Sequence, residues 1–210
     1  MAYFFDMTAP GSIHGVEKPE WDEKYVLDTF GNLDPQKSRI AAEIRAALRE
    51  GTRKVLPEEV PKLFVVEKPK AKWRDFFKVT GAIKVVREPV RELIERLDPG
   101  VHQFFPVTMR TKRGVVIEGP WFVIVITARQ DSIVPGYRGK FISNQLPDGR
   151  YLLNSMVKHG QVPIDATRLS GLHLWREAKA VDGIFASDEL IAELKANGLK
   201  TFPAKRAHLV

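Results

Sequence analysis

The chain contains no cysteine. That excludes a disulfide framework, a thiolate nucleophile and any zinc or iron–sulfur site held by cysteine. Long apolar runs are also missing. The densest, WFVIVI at residues 121–126, is far too short to cross a bilayer as a helix. The opening MAYFFDMTAP has no basic segment ahead of an apolar run and does not read as a secretory signal. A cytoplasmic protein without membrane contact is the expectation. Familiar catalytic phrases are absent as well. There is no Gly-rich loop ending in Gly-Lys-Ser/Thr, no Gly-x-Ser-x-Gly elbow and no helical His-Glu-x-x-His pair. The histidines, His14, His102, His159, His173 and His208, are scattered singly. The sequence therefore assigns no catalytic residue, no metal ligand and no cofactor, and the chain is expected not to be an enzyme.

What is present suits a folded protein. Of 210 residues, 44% are hydrophobic and 28% charged, which argues against global disorder. The net charge is +7, a field that would attract nucleic acid, anionic membrane or an acidic protein surface. Acidic residues are interspersed nearly everywhere, so most of these charges read as solvated surface.

The pattern along the chain alternates short strands with a few helices. AYFFDM reads as an opening strand, and residues 8–25, rich in Gly, Pro and charge, as a surface loop. DPQKSRIAAEIRAALREG predicts a helix: Asp34 can cap it, Pro35 suits its first position, and Ile40, Ile44, Ala47 and Leu48 share one face. Gly51 can supply the left-handed residue that ends it. KLFVV is a strand. A second helix starts at Glu88 and Pro89, buries Val90, Leu93, Ile94 and Leu97, and stops at Asp98, Pro99 and Gly100. HQFFPVTM and GVVIE read as strands joined by a charged turn at residues 110–114. WFVIVIT, continuously β-branched or aromatic, predicts a strand covered on both faces. YLLN, LHLWREA and GIFA add strands. Ser187 caps a third helix with Leu190, Ile191 and Leu194 inward, and LKTF reads as a closing strand. The irregular order predicts an α+β fold: a mixed, mainly antiparallel sheet with a few packed helices. Residues 1–210 are read as one α+β domain. An N-terminal subdomain over 1–70, beside a core over 76–202, is the alternative division.

One phrase occurs twice. ELIERLDPGVHQFFP at residues 92–106 aligns without a gap on ELIAELKANGLKTFP at residues 189–203. Leu93/Leu190, Ile94/Ile191 and Leu97/Leu194 lie at the spacing of a buried helix face. Phe105/Phe202 and Pro106/Pro203 mark a strand or turn after each helix. The repeat is read as scaffold, because no ionisable group suited to chemistry recurs in it.

A second stretch, VEKPKAKWRDFFKV, interleaves Lys68, Lys70, Lys72 and Arg74 with Trp73, Phe76 and Phe77. Basic side chains can neutralise phosphates while aromatics stack on bases. The alternative is a lysine-rich linker leading into a strand whose aromatics pack inside. That reading is preferred, since aromatic side chains more often fill cores. Asp131 and Ser132, after the long apolar strand, read as a loop-capping pair.

The C-terminal run carries a resemblance. Trp175 and Arg176, then Ile184 and Phe185, then Ser187, Asp188 and Leu190, and finally Gly198, Leu199 and Phe202 follow one another in a recognisable order. Together with VVREPVRELIERLDPGVHQFFPVTM and WFVIVITARQDSI, this resembles immunity protein family 11 of bacterial polymorphic toxin systems. The resemblance covers about residues 76–202. It departs at Glu88 and Pro89, where a serine cap is usual, and at Lys200 and Thr201, where a small residue is usual. Residues before it match no family pattern. The resemblance implies a cytoplasmic immunity protein that binds a cognate toxin and neutralises it by stoichiometric occlusion. Lys70, Lys72, Trp73, Arg74, Trp175 and Arg176 are the candidate partner contacts, Trp and Arg being types enriched at binding hot spots. Trp175, in a strand-like run, is expected to pack internally. The basic charge suggests an acidic partner surface. The rival readings are a nucleic-acid-binding protein using residues 68–78, and an enzyme whose site is assembled from distant residues.

Overall fold

The computed structural model describes residues 1–7, 13–14, 16–20, 35–66, 73–79, 82–134, 142–145, 149–153, 160–181 and 183–210. The elements run in the order β1 (Ala2–Phe5), β2 (Ile13–His14), β3 (Val16–Glu20), α1 (Pro35–Glu50), β4 (Leu63–Val66), β5 (Phe76–Val79), β6 (Lys84–Arg87) and α2 (Glu88–Leu97). Then come β7 (Gln103–Thr111), β8 (Trp121–Val125), β9 (Arg129–Gln130), β10 (Ile142–Gln145), β11 (Tyr151–Leu153), β12 (Pro163–Ile164), β13 (Leu174–Glu177) and β14 (Ala180–Val181). The last are β15 (Ile184–Ser187), α3 (Asp188–Ala196), β16 (Ala204–Arg206) and β17 (His208–Leu209). The fold is α+β, with mixed and mostly antiparallel sheets.

A seven-stranded sheet has the order β2-β5-β6-β8-β7-β4-β3, and a five-stranded sheet the order β16-β1-β15-β13-β9. Two smaller groups are β10-β11-β14 and the parallel pair β12-β17. Strand β8 lies between β6 and β7, antiparallel to both. Its side chains alternate: Trp121, Val123 and Val125 join a cluster with Ile44, Ala47 and Leu48 of α1, whereas Ile124 joins one with Val90, Leu93 and Ile94 of α2. Covered on both faces, β8 needs no polar residue in alternation, which is why its sequence is apolar throughout.

The second cluster also takes in Leu190, Ile191 and Leu194 of α3 and Phe5, Leu174, Ile184 and Ala186 of the five-stranded sheet. Helices α2 and α3 are thus packed between the two sheets. On the other face of the five-stranded sheet, Ala2, Phe4, Trp175 and Phe185 pack with Ile133, Val162 and Ile164. The resulting layers are α1, the seven-stranded sheet, the α2–α3 pair, the five-stranded sheet and the segment around β12.

The repeated phrase explains itself here. Each copy begins inside a helix that directly follows a strand, α2 after β6 and α3 after β15. The shared leucines and isoleucines of the two helices face one another in a single cluster. After the helices the copies diverge. Phe105 lies in β7 against the α1 cluster, whereas Phe202 lies outside any strand, its ring 4.9 Å from that of Phe76 and 6.0 Å from that of Phe5.

Local chemistry sets the helix ends. Ser187 Oγ accepts the Leu190 N–H at 3.1 Å, the expected cap of α3. Gly51 ends α1 with φ +61°, and a Cβ added there would lie 2.1 Å from the Ile126 carbonyl oxygen. Cations collect at the same end. Lys84 Nζ and Arg176 Nη2 each donate to the Arg49 carbonyl at 2.6 Å, and Arg129 donates to that of Glu50. Such donors satisfy carbonyls that the helix leaves unpaired and suit its negative dipole end.

Three local expectations are corrected. Residues 13–14 and 16–20 form strands rather than only a loop, because they find partners in β5 and β4. GVVIE is not a strand: Val116 makes a lone bridge to Arg110, and Val115 and Val116 are 64% and 65% exposed. LKTF is not a strand either, since Asp75 takes over its hydrogen bonding. The Asp75 carboxylate accepts the Lys200 N–H at 2.7 Å while the Asp75 N–H donates to the Lys200 carbonyl at 2.6 Å. Closure falls instead to β16 and β17. The expected cap Asp34 lies outside the described residues.

Candidate partner-binding surface

The aromatics of the basic strip turn inward. Phe76 and Phe77 are buried core residues. Trp73 is half-buried, its ring 5.6 Å from that of Phe77 and 6.2 Å from that of Trp121. Arg74 Nη1 donates to the Thr201 carbonyl. Lys68, Lys70 and Lys72 lie outside the described residues. Trp175 is 1% exposed and stacks on Phe185 at 5.9 Å, with its indole N–H directed to Ser132 Oγ at 3.4 Å. Arg176, 3% exposed, is committed to the end of α1. Trp175, as expected, packs internally, and Arg176 is interior as well, because β13 is covered on both faces. Of the six candidates, the described side chains of Trp73 and Arg74 retain partial exposure.

Buried polar groups near β13 hold structure together. Glu177, 1% exposed, accepts the Ser132 N–H at 3.0 Å, the Ser132 hydroxyl at 2.6 Å and the Lys179 N–H at 3.2 Å. Burial pushes its carboxyl above the usual range, and the Ser132 and Lys179 bonds offset this only in part. Asp131, by contrast, is exposed and pairs with Lys179 at 2.9 Å and Arg168 at 3.2 Å. Asp131 and Ser132, expected as a loop-capping pair, instead engage separate partners, the Lys179 and Arg168 cations and the Glu177 carboxylate.

A serine–histidine contact at α3 has the look of chemistry and the geometry of a cap. Ser187 Oγ lies 2.9 Å from His173 Nδ1, and Glu189 Oε2 lies 3.8 Å from the same nitrogen. A hydrolytic relay needs base and acid on opposite ring nitrogens. Ser187 is also engaged by the Leu190 N–H. Among the described residues, no group of three or more His, Asp or Glu side chains is placed to hold a metal ion.

A surface depression among the described residues lies elsewhere, beside β7. It has a volume of about 600 Å³ and a mainly apolar lining that includes Pro57, Val60, Phe105, Ile117, Pro120 and Trp121, with Lys62 and Thr108 among the polar contributors. Local bonding builds it. β7 and β8 pair up to Val107–Trp121, and beyond that the returning chain bulges outward. Ile117 N–H rejoins β7 at the Met109 carbonyl, 2.8 Å away, and the Trp121 indole N–H pins the bulge at the Glu118 carbonyl, 2.9 Å away. The opposite wall is tied down too. Gln103 brackets the backbone of Val55 with bonds of 2.8 and 3.0 Å, and Glu59, paired with Arg53 at 2.7 Å, accepts the Leu56 N–H at 2.9 Å. The Arg53 hydrogen bond holds the Glu59 carboxyl below its usual range against the opposing effect of burial. Leu56, Val115 and Val116, three of the large apolar side chains left exposed, adjoin this groove in the chain or line it. Sequence reasoning read residues 114–118 as a strand and so missed them. The usable signal was an apolar pair directly after the basic turn containing Lys112 and Arg113.

A family model described as Immunity protein family (Imm11) matches residues 4–206, nearly the whole chain. The chain belongs to the Imm11 immunity protein family. The match extends the resemblance seen over 76–202 to the N-terminal strands, which the sequence alone did not connect to it. No curated protein matches the chain. No helix among the described residues is long and apolar enough to cross a membrane.

Proposed function

We propose that this protein binds a cognate bacterial toxin and neutralises it by one-to-one occlusion in the producer's cytoplasm, without catalysing a reaction. The observation that carries the reading is the family match over residues 4–206. The interior placement of Phe76 and Phe77 supports it against a nucleic-acid strip, since buried rings offer no face for base stacking. Protection against a toxin requires slow dissociation, with an affinity of about 1 nM or tighter.

The test is to titrate the protein against the toxin domain encoded in the adjoining reading frame and follow toxin activity. Inhibition that ends at an equimolar point, with a stable complex on size exclusion, is the expected result. Clearance of toxin activity by substoichiometric protein would overturn occlusion in favour of an enzymatic antidote.

A further inference from the structure

We infer that the toxin docks in the groove beside β7, and that the docking element is an apolar segment flanked by carboxylates. This rests on the toxin-binding reading above. Two observations converge on the place. The groove is lined mainly by apolar side chains, with Phe105 and Ile117 only partly covered by the core they adjoin. Val116 lines it, and Leu56 and Val115 neighbour lining residues; all three are more than half exposed. Clustered exposed apolar side chains on a folded surface mark interaction sites rather than ordinary surface.

Charge supplies the chemistry of the occupant. Lys62 lines the groove and is exposed. Lys112 and Arg113 are exposed in the turn that carries Val115 and Val116. Residues 110–120 hold three basic side chains, Arg110, Lys112 and Arg113, against one acid, Glu118. A basic fringe around an apolar slot steers in, and orients, a segment whose apolar residues sit between Asp or Glu. The fixed backbone on both walls lowers the ordering cost of binding.

The test uses the full chain and the toxin domain encoded in the adjoining reading frame. Val115→Glu/Val116→Glu places two carboxylates where the slot expects apolar contact, and Thr108→Trp, from an exposed position on β7, fills the slot without adding charge. Both should raise the Kd by about 100-fold, the scale of a lost hot spot, with melting temperature unchanged. Lys112→Glu/Arg113→Glu should slow association and flatten its salt dependence. Ala192→Glu, on the exposed side of α3, should leave affinity intact. Wild-type affinity in both slot variants would overturn the docking site while leaving toxin binding standing. Failure of the wild-type chain to bind would remove the toxin-binding reading itself, and this inference with it.

Discussion

Asp98, the residue directly after α2, accepts the backbone N–H of Leu174 in β13 at 2.8 Å. The same carboxylate accepts the His173 N–H at 3.0 and 3.1 Å and lies 3.6 Å from His102 Nε2. A single buried side chain therefore joins the helix of one sheet to a strand of the other. Burial alone would disfavour its charge. The His102 contact and the two amides outweigh that effect and hold the carboxyl below the usual range.

Asp98→Ala should destabilise the protein by about 3 kcal/mol, since two interior N–H groups lose a charged acceptor. Urea unfolding at neutral pH measures this. The pH dependence has a definite sign. A folded-state value below the unfolded one contributes stability above the unfolded value of about 3.9 and loses it as pH falls through the lowered value. Asp98→Asn should therefore be closer to wild type in acid than at neutral pH. A constant gap between the two would contradict the assignment.

Glu177 behaves oppositely. Its folded value is raised, so the folded state holds the proton more tightly than the unfolded chain. Stability is eroded as pH rises from the unfolded value of about 4.3 through the raised one. Glu177→Gln removes the titration. The variant should gain on the wild type as pH increases across that window, read from urea midpoints at matched salt. Parallel profiles would show that the fold leaves the Glu177 carboxyl unshifted.

Gly51→Ala should cost about 3 kcal/mol or more, combining left-handed backbone strain with a steric clash. The clash is severe because the neighbour is the Ile126 carbonyl, 2.1 Å from the added carbon, and backbone cannot swing aside. A thermal melt within a degree or two of wild type would mean that the end of α1 is not seated against β8.

Trp175→Ala should cost about 3–5 kcal/mol through the cavity it leaves. Trp175→Phe should fold and bind the toxin domain with unchanged affinity, because the indole, 1% exposed, contacts Phe185 and Ser132 rather than a partner. Weakened binding by a well-folded Trp175→Phe protein would return that residue to the interface.

Legibility in the sequence tracks the range of each interaction. The Ser187 cap and the spacing of Leu190, Ile191 and Leu194 act within one helix, and both were legible. So was β8, whose unbroken apolar run leaves no face for water. Arg176 was not, because its destination is a carbonyl 127 residues away. A strand arginine beside a tryptophan looks like a contact pair until that acceptor is in place. Val115 and Val116 were hidden for a related reason. Their composition favours a strand, but β8 already occupies the pairing edge of β7 up to Val107, and the bulge before Trp121 pushes them outward. Residues 13–14 and 16–20 sit in a stretch of Gly, Pro and charge without periodicity, so their pairing with β5 and β4 left no trace that could be read in advance.

The register of β1 fixes when the five-stranded sheet can close. Ala2 pairs with Ser187 and Tyr3 with Arg206, so β1 waits for β15 and β16, which are made much later in the chain. At about 5–20 residues per second the delay on the ribosome is about ten seconds or more. Until then Phe4 and Phe5, destined for opposite faces of the five-stranded sheet, lack their strand neighbours in β15 and β16. The five-stranded sheet is therefore complete only once β16 has been made.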